Sequence, residues 1–126
     1  MNIDDQIVSL ELAKKLKELG IEQDSLWRWC IHNNGVVGCY AGISRKVHSL
    51  SEVKEEYSAF TVAELGEILT NIHGRWSSGT LNEPDTDDRY ICEWYDRYGV
   101  EYWKCGKTEA EARAKAIIWL KEKDGR

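Results

Sequence analysis

Apolar side chains recur at helical spacing in three stretches of the chain, and each stretch has a recognisable start. Ser9 is a typical N-cap, while Thr61 and Thr108 each precede a glutamate by three residues and so predict capping boxes. The first two stretches are followed by Gly20 and Gly74, and glycine commonly ends a helix in the left-handed conformation. The pattern therefore predicts three well-delimited helices.

Aromatic and β-branched residues are concentrated in four short runs, a composition typical of half-buried strands. The runs form two pairs, and a glycine-containing dipeptide, Asn34-Gly35 or Tyr98-Gly99, lies between the members of each pair. Such dipeptides favour two-residue hairpin turns because glycine readily adopts a positive φ. The predicted strands are Leu26–Ile31, Val36–Ala41, Tyr90–Tyr95 and Val100–Cys105.

A two-residue turn at Tyr98-Gly99 determines which residues of the second hairpin face each other. It pairs Trp94 with Trp103 and Tyr95 with Tyr102, which places like residues together. The predicted inward face consists of Cys92, Trp94, Trp103 and Cys105.

The remaining segments show no periodicity that predicts a strand. Ser51–Glu56 is consistent with a short helical turn, Arg45, Lys46 and His48 with a solvated basic patch, and Arg75–Asp88 with a long loop. We therefore predict one α+β domain over residues 1–126. Its four-stranded antiparallel sheet is made of the two hairpins, with three helices packed mainly on one face.

The charge of the chain bears on its partners. The sequence has 17 Lys and Arg against 22 Asp and Glu, a net charge of −5, which argues against direct nucleic-acid binding and favours a basic partner. The last helix begins after Gly106-Lys107, as in double-stranded RNA binding domains, but Glu109 and Glu111 stand where basic residues would contact phosphate. No apolar run reaches the length of a membrane span, and the first five residues lack a signal-peptide profile, so we predict a cytoplasmic protein.

Motifs of known catalytic chemistry are missing from the sequence, so we predict a non-enzymatic protein without cofactor or metal. The three histidines, His32, His48 and His73, lie beside predicted turns or helix ends, where such side chains usually face solvent. The carboxylates of Asp85, Asp87 and Asp88 lack the spacing of a calcium loop and are interpreted as a solvated acidic loop.

The four cysteines are predicted to be thiols that behave as small core residues. In the two-residue registers Cys30 faces Cys39 and Cys92 faces Cys105, which is compatible with a tetrathiolate zinc site across adjacent hairpins. The spacing of a zinc ribbon is missing, so the core interpretation is preferred.

Arg113 interrupts the apolar stripe of the last predicted helix, Thr108–Lys123. Charged side chains are rarely buried without a partner, so two interpretations follow. Arg113 either pairs with a nearby carboxylate in a structural role, or it presents its guanidinium to an anionic ligand. The predicted apolar stripe around it consists of Ala112, Ala116, Ile117, Trp119 and Leu120.

Three blocks, Ser9–Gly20, Ala59–Glu67 and Thr108–Lys115, together resemble a family of small proteins encoded by phages and prophages of gut bacteria. That family has no established activity. The resemblance therefore implies a phage origin and the cytoplasm of a bacterial host, and it implies no catalytic residues.

A phage setting favours binding over catalysis, by analogy of context. The leading hypothesis is a phage accessory protein that binds and inhibits a host defence component, such as the basic groove of a CRISPR effector. One alternative is a sponge for a nucleotide immune signal, with Arg113 on the phosphate, an aromatic ring on the base and the site between subunits of a homo-oligomer. Another alternative is a small enzyme of unknown type. The candidate binding residues are Arg113, Trp94, Trp103, Tyr95, Tyr102, Glu83, Asp85, Asp87 and Asp88.

Overall fold

The computed structural model describes residues 6–41 and 53–124. In that part of the chain, three helices and six strands form an α+β fold, which confirms the predicted class. In chain order they are α1 (Leu10–Glu18), β1 (Trp27–His32), β2 (Val37–Ala41), β3 (Val53–Ser58), α2 (Val62–Ile72), β4 (Trp76–Thr80), β5 (Tyr90–Tyr95), β6 (Glu101–Gly106) and α3 (Glu109–Asp124). The predicted basic patch at residues 45–48 lies outside the described residues.

The prediction of one four-stranded sheet is wrong, because each hairpin gains a third strand and the two remain separate. The sheets have the strand orders β2-β1-β3 and β4-β5-β6, and all of their pairings are antiparallel. Strand β3 replaces the helical turn predicted at Ser51–Glu56, and β4 lies within the loop predicted at Arg75–Asp88. Both added strands are edge strands, where polar composition is common because one side of the strand has no neighbour.

Both predicted hairpin registers are wrong by one residue, and the cause is the same. Each turn has three residues instead of two, with Gly35 or Gly99 last and at positive φ, 88° and 83°. In the second turn the Asp96 N–H donates to Val100 O at 3.0 Å, and the Gly99 N–H donates to Asp96 O at 3.1 Å. Two-residue type I′ turns require positive φ at both central residues, and among the described residues only glycines adopt it.

The corrected register changes the faces of the second sheet. Trp94 now pairs with Tyr102, and Glu93 pairs with Trp103. Because side chains alternate between the two faces of a strand, Tyr102 joins the buried Trp94 on the inner face. Trp103, predicted to face inward, lies on the outer face with 57% of its surface exposed.

The helix starts are as predicted. The Ser9 side chain accepts the Leu12 N–H at 3.3 Å, and Thr61 with Glu64 forms a complete capping box. At α3 the box is modified, since Thr108 Oγ1 accepts the Glu111 N–H at 3.1 Å while the Glu111 carboxylate accepts the N–H of Lys107. Gly20 and Gly74 follow the first two helices at positive φ, as expected for C′ glycines.

Helix α3 lies at the centre of the core. It contacts α1 and α2 as well as β5 and β6. More than one face of α3 is therefore buried, whereas the sequence predicted a single buried stripe. Small side chains allow this close approach, and the fully buried alanines of α3 are Ala110, Ala112, Ala114 and Ala116. One cluster of buried side chains joins this helix to both halves of the chain, and its largest members include Trp94, Phe60, Leu16, Leu65, Leu69 and Ile117.

Candidate functional site

The structure separates the predicted binding residues into four groups. Trp94 is 1% exposed and belongs to the core, where its ring stacks on the half-buried Tyr102 at 6.1 Å between centroids. Trp119 of α3 packs against both rings. These aromatic side chains stabilise the contact between β5, β6 and α3, so neither Trp94 nor Tyr102 presents a free face on the outer side of the sheet.

Arg113 forms the second group, and its guanidinium is held by several protein contacts. Nη1 donates to Val62 O at 2.7 Å, and Nη2 donates to Ser78 Oγ at 2.9 Å. Glu109 Oε1 lies 3.7 Å from Nη2, and the guanidinium stacks 4.8 Å above the Trp76 ring. The side chain is only 15% exposed, so these contacts favour the structural interpretation of Arg113.

The acidic loop is the third group. Glu83, Asp85 and Asp87 are exposed, and Asp88 is half-buried. The acidic loop comes directly before strand β5, and the β5–β6 turn comes directly after that strand. Loop and turn therefore lie at opposite ends of the six-residue strand β5. That separation is about 17–20 Å, which means that the acidic loop and the exposed aromatics do not form one compact site.

The remaining predicted residues, Tyr95 and Trp103, lie together on the outer face of the second sheet. Tyr95 pairs with Glu101 and Trp103 pairs with Glu93, so two aromatic rings occupy one diagonal of a square and two carboxylates occupy the other. Tyr95 is 39% exposed and Trp103 is 57% exposed. We call these four residues the outer aromatic face.

The β5–β6 turn extends the outer aromatic face with further exposed apolar surface. Tyr98 is 77% exposed and Val100 is 50% exposed, and the Arg97 guanidinium covers one side of the Tyr98 ring at 4.9 Å. Asp96 holds the turn, because its carboxylate accepts the N–H groups of Val100 and Tyr98 at 2.9 and 2.8 Å. These hydrogen bonds, that from Val100 foremost, hold the pKa of Asp96 below its usual range.

Sequence reasoning missed Glu93, Glu101 and Tyr98 as members of this surface. The prediction of a two-residue turn assigned Trp103 to the core and made Lys104, not Trp103, the cross-strand neighbour of Glu93. A signal was present in Asp96, since an aspartate at the start of a turn commonly accepts the backbone N–H two residues later, here that of Tyr98. This hydrogen bond favours the three-residue turn over a two-residue turn at Tyr98-Gly99.

The cysteines do not gather into a metal site. Cys30 pairs with Gly38 and Cys92 with Lys104, so the corrected registers place the members of each cysteine pair on opposite faces of their sheets. Within residues 6–41 and 53–124, no group of three or more His, Cys, Asp or Glu side chains is placed to hold a metal ion. Burial raises the pKa of the Cys92 thiol to about 12, which suppresses the thiolate form needed for nucleophilic chemistry.

A cleft of about 710 Å³ lies between the starts of α2 and α3 and the end of β4. Its titratable residues are Arg89, Tyr90, Lys107 and Glu109. Of the histidines, His32 is buried, contrary to the predicted solvent-facing position, and His73 Nε2 lies 2.7 Å from Tyr95 O.

By its fold, the described part of the chain is an α+β protein with three helices and two three-stranded antiparallel sheets. No known family model matches the chain, and no curated protein or solved structure is significantly similar to it. Among the described residues, no helix combines the length and apolar character needed to cross a bilayer.

Proposed function

We propose that this protein acts by stoichiometric binding, and that its outer aromatic face engages a basic surface of a partner protein. The observation that carries the proposal is the alternation of Tyr95 and Trp103 with Glu93 and Glu101 on the sheet face opposite the one whose aromatic rings pack against α3. A large exposed tryptophan on a flat, open face is costly in solubility and is typical of an interaction surface.

The chemistry of this face suits arginine and lysine side chains. A guanidinium can stack on the Trp103 ring while an adjacent carboxylate of Glu93 or Glu101 accepts its N–H groups. A partner without such groups would leave both carboxylates desolvated and unpaired, which is unfavourable. The net charge of −5 adds a long-range attraction that accelerates encounter with a basic surface.

In the phage setting implied by the sequence resemblance, the partner would be a host defence component with a nucleic-acid-binding groove. Such grooves are lined with arginine and lysine, the side chains that the outer aromatic face is suited to bind. The protein would then inhibit by occupying the groove, without turnover of a substrate.

The experiment is affinity capture from host lysate followed by measurement of the purified complex. We expect one partner at fixed stoichiometry, with affinity that falls as salt rises. Trp103→Ala should weaken binding by about thirtyfold, the usual effect of a hot-spot aromatic. Glu93→Gln should chiefly raise the dissociation rate, because it removes one member of a charge pair that the interface buries, and it should reduce the salt dependence.

Leu26→Ala is the matched control, because Leu26 is 76% exposed and precedes strand β1, in the other sheet. This substitution should leave the affinity unchanged. Equal losses for Trp103→Ala and Leu26→Ala, or no loss for either, would contradict a role for the outer aromatic face.

The geometry of the described residues adds no support for the two alternative functions, a nucleotide sponge and a small enzyme. A nucleotide sponge would use Arg113 as its phosphate ligand, but Val62, Ser78 and Glu109 already engage that guanidinium. For the hypothesis of a small enzyme, nothing in the geometry of the cleft of about 710 Å³ assigns a reaction to the titratable residues that line it. Both stay predictions from the sequence.

A further inference from the structure

A groove of about 300 Å³ lies between α1 and α3, beside strand β6. Its floor combines aliphatic side chains with an indole, and cations line it from all three elements. The lining residues are Leu12, Lys15, Lys104, Lys115, Ile118, Trp119 and Glu122. We call it the lysine groove.

The three lysines differ in how their charge is balanced. Lys115 Nζ lies 3.3 Å from Glu111 Oε1 and donates to Cys105 O at 3.1 Å, and Lys15 Nζ lies 4.0 Å from Glu18 Oε2. Within the described parts of the chain, no carboxylate approaches Lys104 Nζ to the 4.0 Å of an ion pair.

Lys104 is half-buried and pairs with Cys92 across the sheet, so it lies on the side that faces α3. Its ammonium has no carboxylate among the described residues to balance its charge, so an anion bound in the groove can supply that partner. Glu122 also lines the groove and opposes anion binding. The side-chain ion pairs of Lys15 and Lys115 are partly exposed and hence weak, so both lysines can turn toward a ligand.

The chemistry of the remaining lining residues restricts the ligand further. Leu12, Ile118 and Trp119 are apolar, apart from the indole N–H, and the described residues that line the groove include no Ser, Thr, Asn, Gln, Tyr or His. The hydroxyl groups of a sugar and the polar edge of a nucleobase would be desolvated there without partners, which is costly. An apolar body with one anionic group avoids that cost.

We infer that the lysine groove binds a small molecule with an apolar body and a carboxylate, whose carboxylate is held by Lys104 together with Lys115 or Lys15. The apolar body lies against Trp119, Ile118 and Leu12.

Isothermal titration calorimetry with 2-naphthoate tests the inference, with 2-naphthalenemethanol as the uncharged analogue and adenosine monophosphate as the polar one. We expect naphthoate to bind at least about tenfold more tightly than either, since one charge-assisted contact changes affinity by about that factor. In parallel, naphthoate should shift the indole N–H resonance of Trp119, identified by its loss in Trp119→Phe.

Lys104→Met removes the charge and keeps an apolar stem, so it should weaken naphthoate binding about tenfold and leave the weak binding of the alcohol unchanged. Lys107→Met is the matched control, because Lys107 is exposed and lines the 710 Å³ cleft instead. Four results would overturn the inference: no binding at millimolar naphthoate, equal binding of the alcohol, tighter binding of the nucleotide, or a loss in Lys107→Met that matches the loss in Lys104→Met.

Discussion

Replacing Gly66 by alanine distinguishes a structural Arg113 from one that is free to bind a ligand. Gly66 lies inside helix α2, beneath the guanidinium that stacks on Trp76. A Cβ atom at position 66 would lie 2.8 Å from Arg113 Nη1 and 3.3 Å from the Trp76 ring. The first distance is too short for an ordinary contact, so the guanidinium has to move.

Two opposing effects set the size of the change in the free energy of unfolding. Alanine is favoured over glycine inside a helix by about 1 kcal/mol. Displacing the guanidinium breaks the 2.7 Å hydrogen bond to Val62 O, and a hydrogen bond from a charged group contributes about 1.5–3 kcal/mol. Gly66→Ala should therefore destabilise the protein by about 0.5–2 kcal/mol, opposite in sign to the usual helix preference.

Urea unfolding in two backgrounds isolates the cause. In Arg113→Met the guanidinium is gone, so adding Gly66→Ala should be neutral or should stabilise by up to about 1 kcal/mol. Gly79→Ala is the control, since a Cβ there meets nothing within 4 Å, and it should give the same result in both backgrounds. Equal destabilisation by Gly66→Ala with and without the guanidinium would refute a fixed Arg113.

Three further measurements test the sheet and its turn. Trp103→Ser should change the free energy of unfolding by less than about 1 kcal/mol, because Trp103 lies on the outer face. Tyr102→Ser should lower it by about 2 kcal/mol or more, because Tyr102 packs against Trp94. The reverse order would support the two-residue turn. The Cys92 thiol, which is buried and has a raised pKa, should react with a disulfide reagent only as fast as the protein unfolds, and rapid labelling of the native protein would contradict this. Because the pKa of Asp96 is lowered, its charge stabilises the fold above the ordinary carboxyl pKa of about 4, and this contribution is lost as pH falls through the folded-state pKa. The stability advantage of the native protein over Asp96→Asn should therefore shrink between about pH 6 and about pH 3. An advantage that stayed constant over this range would contradict the prediction.

Helix boundaries were predictable because the signals that define them are local. Ser9, Thr61 and Thr108 each act through a backbone N–H three residues away, and Gly20 and Gly74 act through their own φ angles. Such interactions depend little on the rest of the fold. The α+β class followed from the same local evidence combined with the aromatic runs of the four predicted strands.

Strands β3 and β4 could not be predicted in this way because tertiary pairing creates them. The β4 sequence is Trp76 followed by Ser, Ser, Gly and Thr, and the β3 sequence is mostly charged or polar, so neither carries a strand pattern of its own. Each forms by hydrogen bonding to an existing hairpin. The environment of Arg113 could not be predicted for the same reason, since its hydrogen-bond partner Val62 O lies 51 positions away in sequence.

The register of the second hairpin connects the fold to the proposed function. Since side chains alternate along a strand, a third residue in the turn exchanges the two faces of β6 relative to β5. The exchange moves Tyr102 into the core against Trp94 and moves Trp103 to the surface beside Glu93. Glycine adopts a positive φ at far lower conformational cost than tyrosine. In this turn Gly99 therefore has a positive φ and Tyr98 does not, and the turn has three residues instead of two. The outer aromatic face is thus a consequence of turn geometry, and a substitution that forced a two-residue turn would bury Trp103 and remove the proposed binding surface.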